Sequence, residues 1–242
     1  MHEVQADGVV LDIEGTTSSV SYVYDVLFPY VRAHLDAFLA ANWNDGEVQR
    51  VCTQIARDAG ADSLSAWCGE TEPRRHLLAE IGRLMDRDAK TTGLKELQGL
   101  IWRSGYETGV LRSHVFADVP AALDEWRGQG IRRAVYSSGS VTAQKLFFGH
   151  TSHGDLLPLL DAHFDTAIGA KRDPASYHRI AAALELAPRR LAFFSDVVEE
   201  LDAARIADWQ TILVIRPGNA PARAGHDHPV ITSFAQVRVI GV

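Results

Sequence analysis

The sequence places a small set of reactive side chains in a telling order. Asp12 and Glu14 lie in Asp12-Ile-Glu-Gly-Thr16-Thr17, Ser137 and Ser138 in Ser137-Ser-Gly-Ser140, then comes Lys171, and last Asp196 with Glu199 and Glu200 just beyond it. This combination suits phosphoryl transfer. A phosphate monoester hydrolyses very slowly in water, so a protein that cleaves one must supply a large share of the barrier. A carboxylate nucleophile does this by splitting the reaction through an aspartyl-phosphate, and Asp12 is the candidate. Two anions approach each other only with a cation between them, and hard oxygens such as those of Asp12 and Asp196 suit Mg²⁺. Ser137 and Lys171 can neutralise the transferring oxygens. Glu14, two residues past the nucleophile, can protonate the leaving oxygen and later activate water.

Taken singly, each residue has an ordinary explanation. An aspartate at a strand end is commonly a helix cap, paired serines are turn residues, a lone lysine is solvated, and Glu199 and Glu200 are first-turn acids that favour the helix dipole. Their order at successive strand ends is what capping does not account for.

The elements that would position them follow from periodicity. Residues 8–13 read as a short buried strand ending in an acidic loop. From about 24 to 112 the pattern is helical, with stripes at Val31, Leu35, Phe38 and Leu39; at Val48, Val51, Ile55 and Ala59; at Leu77, Ile81, Leu84 and Met85; and at Leu94, Leu97 and Ile101. Thereafter strands and helices alternate. A helix runs from Asp118 to Gly128, a strand from Ile131 to Tyr136, and a helix through Lys145. A strand from His163 to Thr166 precedes a helix from Asp173-Pro174 through Leu186. A strand from Leu191 to Phe194, a helix through Ala207, a strand from Thr211 to Ile215 and the loop Arg216-Pro-Gly-Asn-Ala-Pro221 complete the pattern. Such alternation predicts a doubly wound α/β fold on a parallel sheet with right-handed crossovers. An ordinary crossover needs only about a dozen residues, so the helical stretch reads as an inserted cap. The expected division is 1–20 and 113–242 for the catalytic core and 21–112 for the helical cap. In open parallel sheets ligands bind beyond the carboxyl ends of the strands, which is where each reactive group falls.

Composition limits the partners. The 242 residues are 46% hydrophobic and 23% charged, with a formal charge of −7, ordinary for a soluble enzyme. An acidic chain without basic runs argues against nucleic acid, whose binding rests on Lys and Arg at phosphates; a small phosphorylated substrate remains open because one metal ion and one lysine reverse the field locally. No stretch approaches the roughly 18 apolar residues of a membrane span, and the polar residues 1–7 hold no signal-like apolar segment. A cytoplasmic, monomeric enzyme is expected. Cys52 and Cys68 read as small apolar residues of the helical block, neither paired nor metal-binding. His226-Asp-His228, in a Pro/Gly/Asn-rich loop, reads as a solvated turn.

The four segments resemble the motifs of the haloacid dehalogenase-like hydrolase superfamily: Asp-x-Glu-Gly-Thr, then Ser, then Lys, then Asp-x-x-x-Glu. Asp12-Ile-Glu-Gly-Thr-Thr17, Tyr136-Ser-Ser-Gly-Ser-Val141 with Gln144-Lys-Leu146 and Phe148-Gly-His150, and Ile231-Thr-Ser-Phe234 are similar, more narrowly, to the enolase-phosphatase family of methionine salvage, across nearly the whole chain. Lys171-Arg-Asp-Pro174 departs from it, following the Lys-x-x-Pro of general superfamily phosphatases. The resemblance implies one Mg²⁺ per subunit held by Asp12, Asp196 and the backbone carbonyl of Glu14, whose carboxylate is left for acid–base work. It implies substrate phosphate on Ser137, Ser138 and Lys171. The implied reaction enolises 2,3-diketo-5-methylthiopentyl-1-phosphate and then removes its phosphate to leave the acireductone. Rival readings are another capped phosphatase of the superfamily acting on a small sugar phosphate, a dehalogenase that needs no metal, a phospho-receiver module, and a non-catalytic binding protein.

Overall fold

The computed structural model describes residues 1–69 and 72–241. In chain order the strands are β1 (His2–Gln5), β2 (Gly8–Leu11), β3 (Arg132–Tyr136), β4 (Ala162–Phe164), β5 (Leu191–Ser195), β6 (Gln210–Val214), β7 (Val230–Ile231) and β8 (Val237–Ile240). The helices are α1 (Val20–Tyr22), α2 (Phe28–Asn42), α3 (Gly46–Asp58), α4 (Leu64–Cys68), α5 (Pro73–Asp86), α6 (Thr92–Glu107), α7 (Asp118–Gly128), α8 (Val141–Gly149), α9 (Pro174–Leu184) and α10 (Val198–Ile206). The chain forms two compact units, Met1–Val23 with the residues from Arg112 onward, and Tyr24–Leu111.

In the first unit a parallel sheet runs β4-β3-β2-β5-β6-β7. Strand β2 is central and buried at every residue, as a strand covered on both faces must be. Successive side chains point to opposite faces. Phe193 therefore packs with Tyr136, Tyr177 and Leu201, while its neighbour Phe194 meets Trp126 of α7 and Phe234. The register aligns the strand ends: Leu11 lies opposite Val135 on one side and Phe194 on the other. Asp12, Tyr136-Ser137 and Ser195-Asp196 thus emerge side by side, at the point where the chain switches from one half of the sheet to the other.

The second unit is built on α2, α3, α5 and α6 around Val31, Leu35, Leu39, Val51, Cys52, Ile55, Leu77, Ile81, Leu97 and Ile101. Helix α3 starts where Asp45 accepts hydrogen bonds from the amides of Glu47 and Val48, capping two otherwise unpaired donors. It meets the start of α6 closely: a Cβ at Gly93 would lie 2.6 Å from the Ile55 backbone nitrogen, and the Gly93 amide donates to Asp58 at 2.7 Å. Cys52 is buried on α3 and Cys68 partly buried at the end of α4, both unpaired. Among the described residues no helix is long and apolar enough to cross a membrane.

Several expectations shift. The first strand stops at Leu11 rather than residue 13, because the amides of Thr16, Thr17 and Ser18 all turn back to the Ile13 carbonyl. The third core strand runs Ala162–Phe164, since Asp165 leaves it to accept from Val141 and Ala167 amides. Helix α9 stops at Leu184, with Glu185 in the left-handed region at φ 57°. Ala59 caps α3 and is exposed, the buried stripe continuing through Cys52 and Ala56 instead. The sequence pattern marks neither helix α4 nor strands β1, β7 and β8; β1 and β8 pair in parallel as a separate two-stranded sheet. His228 corrects the solvated-turn reading. It is 4% exposed, bonded to Thr211 at 2.8 Å and Asp202 at 3.1 Å.

Candidate active site

Asp12 follows the last paired residue of β2, and its amide still donates to the Phe194 carbonyl at 2.9 Å. Its Oδ1 accepts from the Ile13 amide at 2.7 Å and from Lys171 Nζ at 2.8 Å. Two donors on one oxygen fix the rotation of the carboxylate. Lys171 reaches across from the loop between β4 and α9, and its Nζ also meets Glu200 Oε2 at 2.6 Å. The hydroxyl of buried Tyr177 donates to the carbonyls of Lys171 and Glu200 at 2.6 and 3.0 Å, tying the two segments together. Ser195 Oγ donates to Glu200 at 3.0 Å and accepts from the Val197 amide at 3.1 Å.

Charge in this pocket is unbalanced. Asp12 and Glu200 share one ammonium, Asp196 adds a third carboxylate beside them, and the side chains of Asp12, Lys171 and Glu200 are about nine-tenths buried. Burial opposes the charged form of Lys171, and the adjacent Asp12 and Glu200 carboxylates outweigh it, holding the amine protonated well above its usual range. Burial, then the Asp12 charge, pushes Asp196 up to about 7, and the same two causes in the same order raise Glu200. Such shifts arise when carboxylates crowd a low-dielectric space without enough positive charge.

Among the described residues no three His, Cys, Asp or Glu side chains gather as a ready-made metal set. The oxygens available nevertheless suit a hard divalent cation. Asp196 Oδ1 is buried without a hydrogen-bond partner, and three carboxylates against one lysine leave a deficit of two positive charges. A cation taking two side-chain carboxylates, a backbone carbonyl and waters is an ordinary arrangement for Mg²⁺.

The remaining predicted residues take different positions. Glu14 is half-buried in the tight loop, where Gly15 at φ 72° lets the chain turn. Ser137 is buried at the end of β3 with its Oγ accepting from the Gly139 amide at 3.3 Å. Buried Gln144 holds that loop by donating to the Gly139 and Phe164 carbonyls. Ser138 is exposed on the same loop. Glu199 turns away to pair with Arg223 at 3.3 Å.

Two supporting residues lie where the sequence marks only a loop. Arg216 is 5% exposed, its guanidinium stacked between Phe116 and Phe234 at 4.4 and 4.9 Å. It donates to the Thr16 carbonyl at 3.0 Å and pairs with Asp118 at 2.9 Å. Asn219 Nδ2 donates to the Gly15 carbonyl at 2.9 Å. The available signal was positional: this loop follows a strand of the same sheet and so opens at the same rim.

A parallel sheet that presents an aspartate, a serine, a lysine and a further acidic pair at adjacent strand ends defines a class of hydrolase. The sequence profile of the haloacid dehalogenase-like hydrolases matches residues 6–208, and the chain belongs to that family. Within it, the chain is 48% identical over 234 residues to enolase-phosphatase E1 of Thioalkalivibrio sulfidiphilus, covering 96% of this chain and 98% of that one. It is 44% identical over 241 residues to enolase-phosphatase E1 of Drosophila mojavensis, covering 98% and 96%. It thus falls with the enolase-phosphatase E1 proteins. Among solved structures the UTR4 protein of Saccharomyces cerevisiae is similar, with TM-score 0.79 and 32% identity over 95% of this chain and 99% of the other.

Proposed function

We propose that the chain is an enolase-phosphatase that converts 2,3-diketo-5-methylthiopentyl-1-phosphate to the acireductone and inorganic phosphate. The observation that carries the chemistry is Lys171 bridging Asp12 and Glu200 beside an acidic group with an unpartnered buried oxygen. Similarity to enolase-phosphatases over nearly the full chain supports the substrate.

In this reading Ser137, Ser138 and Lys171 hold the substrate phosphate. Asp12, Asp196 and the Glu14 carbonyl would hold one Mg²⁺, which when bound offsets charge on phosphoryl and enediolate oxygens. Enolisation comes first. A proton leaves the carbon beside the carbonyl for a base, with the Glu14 carboxylate as the candidate, and the electron pair moves to the carbonyl oxygen. An Asp12 carboxylate oxygen then attacks phosphorus. The ester P–O bond breaks with its electrons on the substrate oxygen, which takes a proton from Glu14. Water next attacks the phosphorus of the aspartyl-phosphate, giving its proton to Glu14, and phosphate departs as the Asp12 carboxylate is restored; Glu14 then passes that proton to the enediolate oxygen, which completes the acireductone and returns its own carboxylate. The helical insert, entering directly after the nucleophile loop, is read as the cap that selects the substrate.

The test is to incubate the full chain with the diketo phosphate, following phosphate release and the ultraviolet absorbance of the enediol, with Mg²⁺ and with chelator. Small sugar phosphates run in parallel. Both signals in Mg²⁺ and neither in chelator are expected. Faster turnover of a sugar phosphate than of the diketo phosphate would overturn the substrate, and full activity in chelator would overturn the metal.

A further inference from the structure

The loop after β6 is built to deliver one side chain. Residues Arg216-Pro-Gly-Asn219 close a turn in which the Asn219 amide donates to the Arg216 carbonyl at 3.2 Å. Proline stands at its second position and glycine, at φ 89°, at its third, the requirements of a type II turn. Its first residue is anchored by the two aromatic rings around the Arg216 guanidinium and by the bond to the Thr16 carbonyl. Asn219 is thereby carried to Gly15, next to the nucleophile.

The amide of Asn219 has a fixed orientation. Nδ2 donates to the Gly15 carbonyl at 2.9 Å and lies 3.4 Å from the Val214 carbonyl. Turning the amide over would set its oxygen against two carbonyl oxygens and lose both bonds. The other end is therefore an acceptor, and this Oδ1 is buried without a hydrogen-bond partner. Asp196 Oδ1 is in the same condition. Asp196 and Asn219 crowd one point: a Cβ at Gly15 would lie 2.2 Å from Asp196 Oδ2 and 3.0 Å from Asn219 Oδ1. Acceptors cannot satisfy one another, and a buried acceptor left unpaired costs its full desolvation. Lys171 is committed to Asp12 and Glu200, and the one unpartnered nitrogen of Arg216, Nη2, makes no bond to either oxygen.

We propose that Asn219 is a positioning residue of the metal site, its Oδ1 accepting a hydrogen bond from a water held by the divalent cation. Mg²⁺ keeps several of its waters when bound, and a neutral acceptor suits a place already rich in carboxylates. Nδ2 meanwhile pins the backbone of the loop that carries Asp12 and Glu14. The inference rests on the reading of Asp12 and Asp196 as ligands.

The test is calorimetric titration of Mg²⁺ alone into the metal-free full chain, wild type against Asn219→Ala and Asn219→Asp, with melting temperatures measured in chelator. Outer partners of a metal commonly control its affinity by 10- to 100-fold, so Asn219→Ala is expected to bind Mg²⁺ at least about tenfold more weakly. Asn219→Asp keeps the acceptor and discards the Nδ2 donor, and should bind within about threefold of wild type or more tightly. Should the alanine variant bind as well as wild type, the oxygen has no such role; should the aspartate variant bind as weakly as alanine, the effect belongs to loop pinning by Nδ2 alone. Absence of Mg²⁺ binding by the wild type would instead overturn the ligand reading of Asp12 and Asp196, and this inference with it.

Discussion

Replacing Gly15 by alanine separates backbone strain from damage to the site. Gly15 adopts φ 72°, where an L-residue costs about 1–2 kcal/mol. Its new methyl would stand 2.2 Å from Asp196 Oδ2 and 2.6 Å from Asp196 Cγ. Ordinary contact begins at about 3.5 Å, so the carboxylate must retreat by roughly 1 Å. Misplacement on that scale can cost about 100-fold in rate. Gly130 supplies the control, with φ 75° and nothing within 4 Å of an added Cβ. Gly130→Ala should therefore lose about 1–2 kcal/mol, or roughly 2–8 °C in Tm for a chain of this size, and Gly15→Ala at least as much. Phosphate release should fall on the order of 100-fold in Gly15→Ala and stay unchanged in Gly130→Ala. Melting curves and kcat on the diketo phosphate make the comparison. If Gly15→Ala kept more than about a tenth of wild-type kcat at saturating Mg²⁺, the close packing of Gly15 against Asp196 would not matter to the chemistry.

Two further outcomes follow from the ion pairs and from burial. Lys171→Met should lower stability in chelator by about 3–5 kcal/mol, because removing one partner strands buried charges, and Mg²⁺ should restore part of the loss; an unchanged urea midpoint would refute the pairing with Asp12 and Glu200. His163 is held down to about 4, first by burial and then by the Lys145 charge. Its folded-state value lies below the ordinary one near 6.5, so its contribution is fully present above about pH 6.5 and is lost as pH falls towards 4. Wild type should thus lose more stability than His163→Asn between pH 7 and 4.5, and identical pH slopes in denaturant titrations would contradict this.

What could be read from the sequence was what depends on local pattern. Buried runs such as Gly8–Leu11 and Leu191–Ser195, and the helical stripes of α2, α3, α5 and α6, carry their periodicity openly, and strand ends in a parallel sheet carry the reactive groups. The omissions have a common cause. Strand β1 has one buried residue, Val4, among exposed neighbours, and β7 has two residues in all, too few to set a period. His228 lies in a segment of turn composition, and its burial comes from partners at Asp202 and Thr211. Arg216 and Asn219 act on Thr16 and Gly15 at the other end of the chain. A Pro-Gly-Asn segment announces a turn but not what the turn is folded against.

That Asp12 carries the phosphoryl group is decided by a single-turnover acid quench with the diketo phosphate and Mg²⁺, followed by peptide mass analysis. The peptide containing Asp12 should gain the mass of one phosphoryl group at early times and lose it as phosphate appears, and Asp12→Asn should neither gain the group nor release phosphate. Phosphate released by the wild type with no adduct on that peptide, and turnover retained by Asp12→Asn, would contradict it.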